Sequence, residues 1–346
     1  MGKGFGKPRL RLGQCTGLAE LIVFSRRHFR TILGSKYGRN LEAQILMSIT
    51  VNPINPKRPS FAGVVSGIDL RQADAGMRAD IELALDTYAV LVFHNQPFSD
   101  EEQLTFSSPF GFLESSRGSV HPKHTHRFDN RLSDISNLRA DGKIRPTNDR
   151  RWMSTLANRL WHSDSSFKPT PAKYSMLSAR ILPSWGGETE FSDLRAAYDA
   201  LPPRIKAKIE DLVAMHSIKY SRAKLGFADF SQNEIALNKP VPQTIVRTHR
   251  GSKRKTLYLA SHAGEVIGMS VPEGRMLLHD LIEHATQPEF IYSHTWAVGD
   301  FVIWDNRCVM HRGRDFDMSE VRDMRRTTVG DIAPTLEQKK VQEETA

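Results

Sequence analysis

The stretch Trp161-His162-Ser163-Asp164-Ser165-Ser166-Phe167 places an imidazole and a carboxylate two residues apart. On an extended segment both side chains emerge on one face, so they can meet a single divalent ion from neighbouring positions. Imidazole plus carboxylate suits a metal such as iron. Alone the pair carries little weight, because thirteen histidines make about one His-x-Asp a chance event. A second segment, Cys308-Val309-Met310-His311, ends an apolar strand-like run just beyond an Asp305-Asn306-Arg307 turn. Arg322 and Arg326 follow on a strand where the period of two puts Arg322, Met324, Arg326 and Thr328 on one face. They stand roughly 13 Å apart at ~3.3 Å per residue, enough to serve two anions along one pocket. Two imidazoles, one carboxylate and a guanidinium form the set that holds an open-sided iron and a dicarboxylate.

Composition sets the frame for this site. With 346 residues, 39% hydrophobic and 25% charged, the chain reads as ordinary globular protein. The formal charge of +9 hints at nucleic acid until it is located. Residues 1–46 hold nine Lys and Arg against Glu20 and Glu42, so 9 − 2 = +7 belongs to them and about +2 to the rest. Residues 1–46 are therefore expected to be a basic extension outside the fold, and no nucleic-acid partner follows from charge. The apolar run Leu18 to Phe24 is far shorter than the ~20 residues of a membrane span, so no membrane partner is expected. Two cysteines, Cys15 and Cys308, make neither a disulfide framework nor a zinc finger. The expected location is cytoplasmic. Cys308 reads as a small buried hydrophobe.

Along the chain, strand-like text at 61–70 leads to a helix over 71–88 and a buried strand at 89–93. Ser99 with Glu102 forms a capping-box pattern that opens the next helix. Residues 114–158 lack strong periodicity and are expected to form a lid or substrate loop. A strand at 174–182, a Gly186-Gly187 turn, helices at 193–201 and 203–216, strands at 244–248 and 256–260, and a helix at 272–286 follow. Strands at 296–304, 308–311 and 324–331 close the pattern, which makes a β core with peripheral helices the natural architecture. His121, His124 and His126 form a His-rich tract without an interleaved carboxylate or cysteine and read as solvated loop. His279 and His284, five apart on a helix, point to different faces and form no zinc-protease pair.

The run 161–167, together with Gly186-Gly187-Glu188-Thr189-Glu190-Phe191, Arg195 to Leu201, Arg247-Thr248-His249, Trp304-Asp305-Asn306-Arg307 and His311, resembles the taurine dioxygenase family of Fe(II)/2-oxoglutarate-dependent oxygenases. Within it the closest likeness is to the branch acting on 2,4-dichlorophenoxyacetate and aryloxypropionates. The resemblance covers about residues 60–333. It implies a mainly β fold with peripheral helices around a double-stranded β-helix (jelly-roll) core, occupying residues 47–335 as one domain with a polar tail at 336–346.

The resemblance also implies roles. His162, Asp164 and His311 fall on the metal triad, Thr189 and Arg322 on positions that hold the far carboxylate of 2-oxoglutarate, and Arg326 on a position for the substrate anion. Asn158, His249 and Trp304 fall in or near the pocket. Fe(II), 2-oxoglutarate and O2 are the implied cofactor and cosubstrates, with a small organic acid as substrate and a homo-oligomer as the working form. Etherolytic cleavage of a phenoxyalkanoate to a phenol and an oxo acid is the preferred reaction. A sulfonate or sulfate-ester dioxygenase is the enzymatic rival. A catalytically silent metal-binding barrel is the alternative of another class, disfavoured because a structural site needs no anion clamp.

Overall fold

The computed structural model describes Met1, residues 48–115 and residues 127–338. The His121, His124 and His126 tract, almost all of the 1–46 extension and the tail beyond 338 lie outside the described residues. Residues Met47–Ala346 form one compact unit. Its centre is a seven-stranded sheet in the order Thr50–Pro53, Gly63–Ser66, Val90–Phe93, Phe301–Asp305, Ala172–Ile181, Asp323–Gly330 and Ser133–Ser136. A three-stranded sheet, Ile291–His294, Thr189–Asp193 and Val309–Gly313, supplies a second layer.

Alternation of side chains along the strands makes the layering. In Val90–Phe93 the residues Val90 and Val92 point to one cluster while Leu91 and Phe93 point to another. Phe301–Asp305 does the same, with Val302 and Trp304 on one side and Phe301 and Ile303 on the other. The cluster holding Val90, Val92, Leu177, Trp304 and Met324 also contains Phe191 and Val309 of the smaller sheet, so it is the filling between the two sheets. Outside the large sheet, Ile81, Leu85 and Phe106 come from the helices Ala75–Tyr88 and Asp100–Ser107. Outside the small sheet, Leu194, Ala197, Leu277, Leu278 and Leu281 come from the helices Leu194–Ala200 and Val271–Ala285. Helix, sheet, sheet and helix therefore stack as the four layers of a jelly-roll with peripheral helices.

Several local readings hold. Ser99 and Glu102 form a reciprocal capping box at the start of Asp100–Ser107. The helix expected from 203 to 216 stops at Ile209, however, and Val213–His216 is a strand paired with Val241–Thr244 and Ala263–Val266. The apolar spacing that suggested a continuous helix is overridden by this long-range pairing. Within the expected loop of 114–158, Ser133–Ser136 is a strand on the edge of the large sheet and Arg150–Thr155 is a short helix. The buried Gln338 amide donates to Asp331 and to the Ala333 carbonyl, so packing runs beyond the expected boundary at 335. Among the described residues, no helix is long and apolar enough to cross a membrane.

His216 lies in the Val213–His216 strand, fully buried, its ring stacked on Tyr258 and neither ring nitrogen hydrogen-bonded. Burial pushes its pKa down to about 3. In the unfolded chain it takes a proton below about 6.5, and in the fold it does not, so its contribution to stability is present above that pH and lost as pH falls towards 3. The loss is ~1.4 kcal/mol per pH unit over that window. Urea unfolding of His216→Phe at pH 7, 6, 5 and 4 is expected to show a shallower acid limb than the parent protein.

Candidate functional site

One backbone contact assembles the centre. His162 N donates to the His311 carbonyl at 3.0 Å, and His311 N donates to the His162 carbonyl at 2.8 Å. Residues that exchange both bonds across an antiparallel bridge carry their side chains on the same face. The two rings accordingly lie 4.2 Å apart by centroid. Asp164, two residues on, shares that face. Its Oδ1 is 3.8 Å from His162 Nε2 and its Oδ2 is 3.6 Å from His311 Nε2. All three side chains are buried, and one ligand atom from each lies within 4.8 Å of the others.

The surroundings fix which atoms face inward. His162 Nδ1 lies 2.8 Å from the Leu160 carbonyl, which can only accept, so Nδ1 carries the proton and Nε2 presents a lone pair. Asp164 Oδ2 accepts from Ser175 Oγ at 2.7 Å, and Oδ1 accepts from Arg326 Nη1 at 2.8 Å. The Asp164 backbone N–H donates to Asn306 Oδ1, which also takes the Trp304 indole N–H, while Asn306 Nδ2 donates to Ser175 Oγ. Burial alone would raise the Asp164 carboxyl. Arg326, the two imidazoles and Ser175 outweigh it and hold the group well below the usual carboxylate range. Burial, only partly offset by Asp164, lowers both His162 and His311, so the imidazoles are neutral at pH 7.

Two cavities meet at this centre. The smaller, about 120 Å³, is lined by His162, His311, Thr189, Trp304, Arg322 and Arg326 among others. The larger, about 500 Å³, opens on Asp164, Phe167, Phe230, His262, Arg326 and the polar residues of 133–158. His162, Asn158 and Arg326 border both. At the smaller cavity the Arg322 side chain is buried, its Nε unpartnered among the described residues and its Nη1 making a long 3.4 Å contact with the Ile135 carbonyl. Its guanidinium sits over the Phe316 ring, and burial depresses its pKa to about 10. Gly187, at φ +78°, keeps that space open: a Cβ there would come within 3.2 Å of Arg322 Nε. Among the described residues this cation has no carboxylate partner, an arrangement that is costly unless an anion binds.

The structure thus brings His162, Asp164, His311, Thr189, Arg322, Arg326, Asn158 and Trp304 around the two cavities. His249 does not join them. Its Nδ1 accepts from Ser252 N, its Nε2 donates to Asp305 Oδ2 at 2.9 Å, and it lines neither cavity. The reason is local: the strand Val246–Thr248 turns back into Lys255–Leu257 immediately after it, and Asp305 captures the ring. His249, Asp305 and Cys308 are also close enough for a metal ion, yet the Arg307 guanidinium already occupies both Asp305 oxygens and burial pushes the Cys308 thiol up. Ser175 and Trp296, whose indole N–H donates to Thr189, were not anticipated and lie in segments that no spacing links; Asn306 lies in the Trp304–Arg307 run that carries the resemblance, which assigned it no role.

Two neutral imidazoles and one carboxylate on a single face fit an octahedral Fe(II) with open positions, and the unpaired Arg322 fits the far end of a dicarboxylate. Comparison with known proteins agrees. Residues 50–328 match the family model described as taurine catabolism dioxygenase TauD, TfdA family. The chain is 47% identical over 288 residues to the alpha-ketoglutarate-dependent 2,4-dichlorophenoxyacetate dioxygenase of Cupriavidus pinatubonensis, covering 83% of this chain and 99% of that one. It is 39% identical to a (S)-phenoxypropionate/alpha-ketoglutarate-dioxygenase of Sphingobium herbicidovorans, covering 78% and 92% respectively. The crystal structure of AAD-2 in complex with Mn(II) and N-oxalylglycine superposes with a TM-score of 0.76 at 50% identity, covering 84% of this chain and 99% of that one. The chain is an enzyme of the TauD/TfdA family, the dioxygenases that depend on Fe(II), 2-oxoglutarate and O2.

Proposed function

We propose that this dioxygenase hydroxylates an aryloxyalkanoate at the carbon beside its ether oxygen. The hemiacetal so formed collapses to a phenol and an oxo acid, while 2-oxoglutarate and O2 leave as succinate and CO2 with one oxygen atom delivered to the substrate. The observation that carries the reading is the two-lobed cavity, with the His162, Asp164 and His311 cluster where the lobes meet and a buried cation facing the smaller lobe. The likeness to dioxygenases of 2,4-dichlorophenoxyacetate and (S)-phenoxypropionate supports the substrate class.

His162, Asp164 and His311 would hold the iron, which when bound activates O2 for insertion into a C–H bond. Thr189 and Arg322 would hold the far carboxylate of 2-oxoglutarate, a charge-assisted contact of about 1.5–3 kcal/mol. Arg326 reaches Asp164 through Nη1 while its Nε is unpartnered, which leaves donors for a substrate carboxylate. Phe167, Ile218 and Phe230 give the larger lobe apolar surface for an aromatic ring. Asn158 and Trp304 border the lobes as walls. The catalytic unit in this reading is 47–335 extended to Gln338, and residues 1–46 are an appendage. With most of the basic excess in that appendage, the partner is a small organic acid rather than nucleic acid, in a cytoplasmic homo-oligomer.

Phenol release from a panel of phenoxyacetates and phenoxypropionates, coupled to succinate, is the expected activity. Sulfite from taurine or sulfate from alkyl sulfates, without phenol, would overturn the substrate assignment. His162→Ala is expected to lose at least tenfold in Mn(II) affinity by calorimetry while keeping its fold; unchanged affinity would remove His162 from the ligand set. Arg322→Gln should raise the KM for 2-oxoglutarate more than tenfold and stabilise the apo fold, read as a higher Tm, because a buried unpaired charge is removed.

A further inference from the structure

Thr189 is buried at the wall of the smaller cavity, and its Oγ1 accepts a hydrogen bond from Trp296 Nε1 at 3.0 Å. A threonine hydroxyl has one proton and two lone pairs, and its proton rotates to suit its neighbours. An indole N–H can only donate. With that donor fixed on the oxygen, the hydroxyl proton is turned away from Trp296. A carboxylate can only accept, so this orientation is the one a bound dicarboxylate requires. Trp296 does not line the cavity, and it reaches the site through Thr189.

Trp296 is itself held from the opposite side. His294 pairs with Thr189 across the antiparallel strands, and its ring meets the indole edge-on at 4.6 Å and 83°. The buried Asp300 lies 3.1 Å from His294 Nε2 through Oδ2, takes the Ala297 backbone N–H on the same oxygen at 2.9 Å, and contacts His94 Nδ1 through Oδ1 at 2.7 Å. Tyr292 Oη lies 2.9 Å from His294 Nδ1. The carboxylate accepts at Nε2, so that nitrogen carries a proton, and the Tyr292 hydroxyl engages the other ring nitrogen. One carboxylate thus anchors the residues on both sides of Trp296 in sequence.

We propose that Trp296 is a positioning residue for the cosubstrate, orienting the Thr189 hydroxyl as a donor to the far carboxylate of 2-oxoglutarate. The inference rests on the assignment of Thr189 to that carboxylate. Its test is calorimetric titration of 2-oxoglutarate into the Mn(II)-loaded full-length enzyme and into Thr189→Val, Trp296→Phe and the double variant. Trp296→Phe is expected to weaken binding about three- to tenfold, as for the loss of one ordering hydrogen bond. In the Thr189→Val background it should add less than a twofold effect, since the route runs through Thr189. With Fe(II), the KM for 2-oxoglutarate should rise in parallel while kcat at saturation changes little. Unchanged affinity in Trp296→Phe, or effects that multiply in the double variant, would overturn the proposal. Unchanged affinity in Thr189→Val would instead overturn the Thr189 assignment and the inference with it. If Trp296→Phe does not fold, 3-benzothienylalanine at position 296 keeps the shape of the indole without its N–H and reads the same quantity.

Discussion

The reciprocal pair of backbone hydrogen bonds between His162 and His311 is the contact on which the site depends. It joins the segment at 160–167 to the edge of the small sheet, and it alone decides that two residues far apart in sequence point their rings the same way. Everything else at the centre refines that placement. Leu160 sets the tautomer of one ring, Ser175 and Asn306 hold the carboxylate and its backbone, and Trp304 holds Asn306. Ser175, Trp304 and Asn306 come from two strands of the large sheet or the turn that follows, and His311 comes from the small sheet, so both layers of the jelly-roll are committed to one site. Slippage of either layer by one residue would turn the ligands to the wrong face.

Electrostatics divides the cavity into two kinds of space. Around Asp164, charge is compensated: the carboxylate meets a guanidinium, a hydroxyl and two imidazoles. Around Arg322 it is not, and burial presses that guanidinium towards neutrality. The Arg322 end selects for a ligand that brings negative charge into a small buried space, whereas the larger lobe pairs most of its own charges, Arg145 with Asp149, Arg150 with Glu234 and Lys168 with Glu114. A monoanion with an apolar body suits that lobe better than a polyanion.

Much of this was legible in the sequence where the signal is local. The capping box at Ser99, the Ala75–Tyr88 helix and the buried Val90–Phe93 strand declare themselves within a dozen residues. The triad is legible once a chance-level His-x-Asp is joined to His311 and Arg322, first by the donor types and then by resemblance. What stayed hidden depends on distant partners. Val213–His216 looks like the end of a helix until two other strands pair with it, and Thr189–Asp193, rich in polar residues, is a strand because it lies between Ile291–His294 and Val309–Gly313. His249 shares a family motif yet turns to Asp305, a choice made by the tight return of the chain after Thr248.

Arg326 deserves to be read in the light of how such an enzyme can change. Its Nη1 already grips Asp164, and the same guanidinium borders both lobes. Any substitution there also disturbs the carboxylate beneath it, so this position is pleiotropic and poorly suited to diversification. The walls contributed by Ser133–Ser136, Arg150–Thr155 and Phe230 have no such double duty. Change is less constrained there, on peripheral segments, whereas Arg326 on the strand Asp323–Gly330 answers at once to the carboxylate below it and to both lobes.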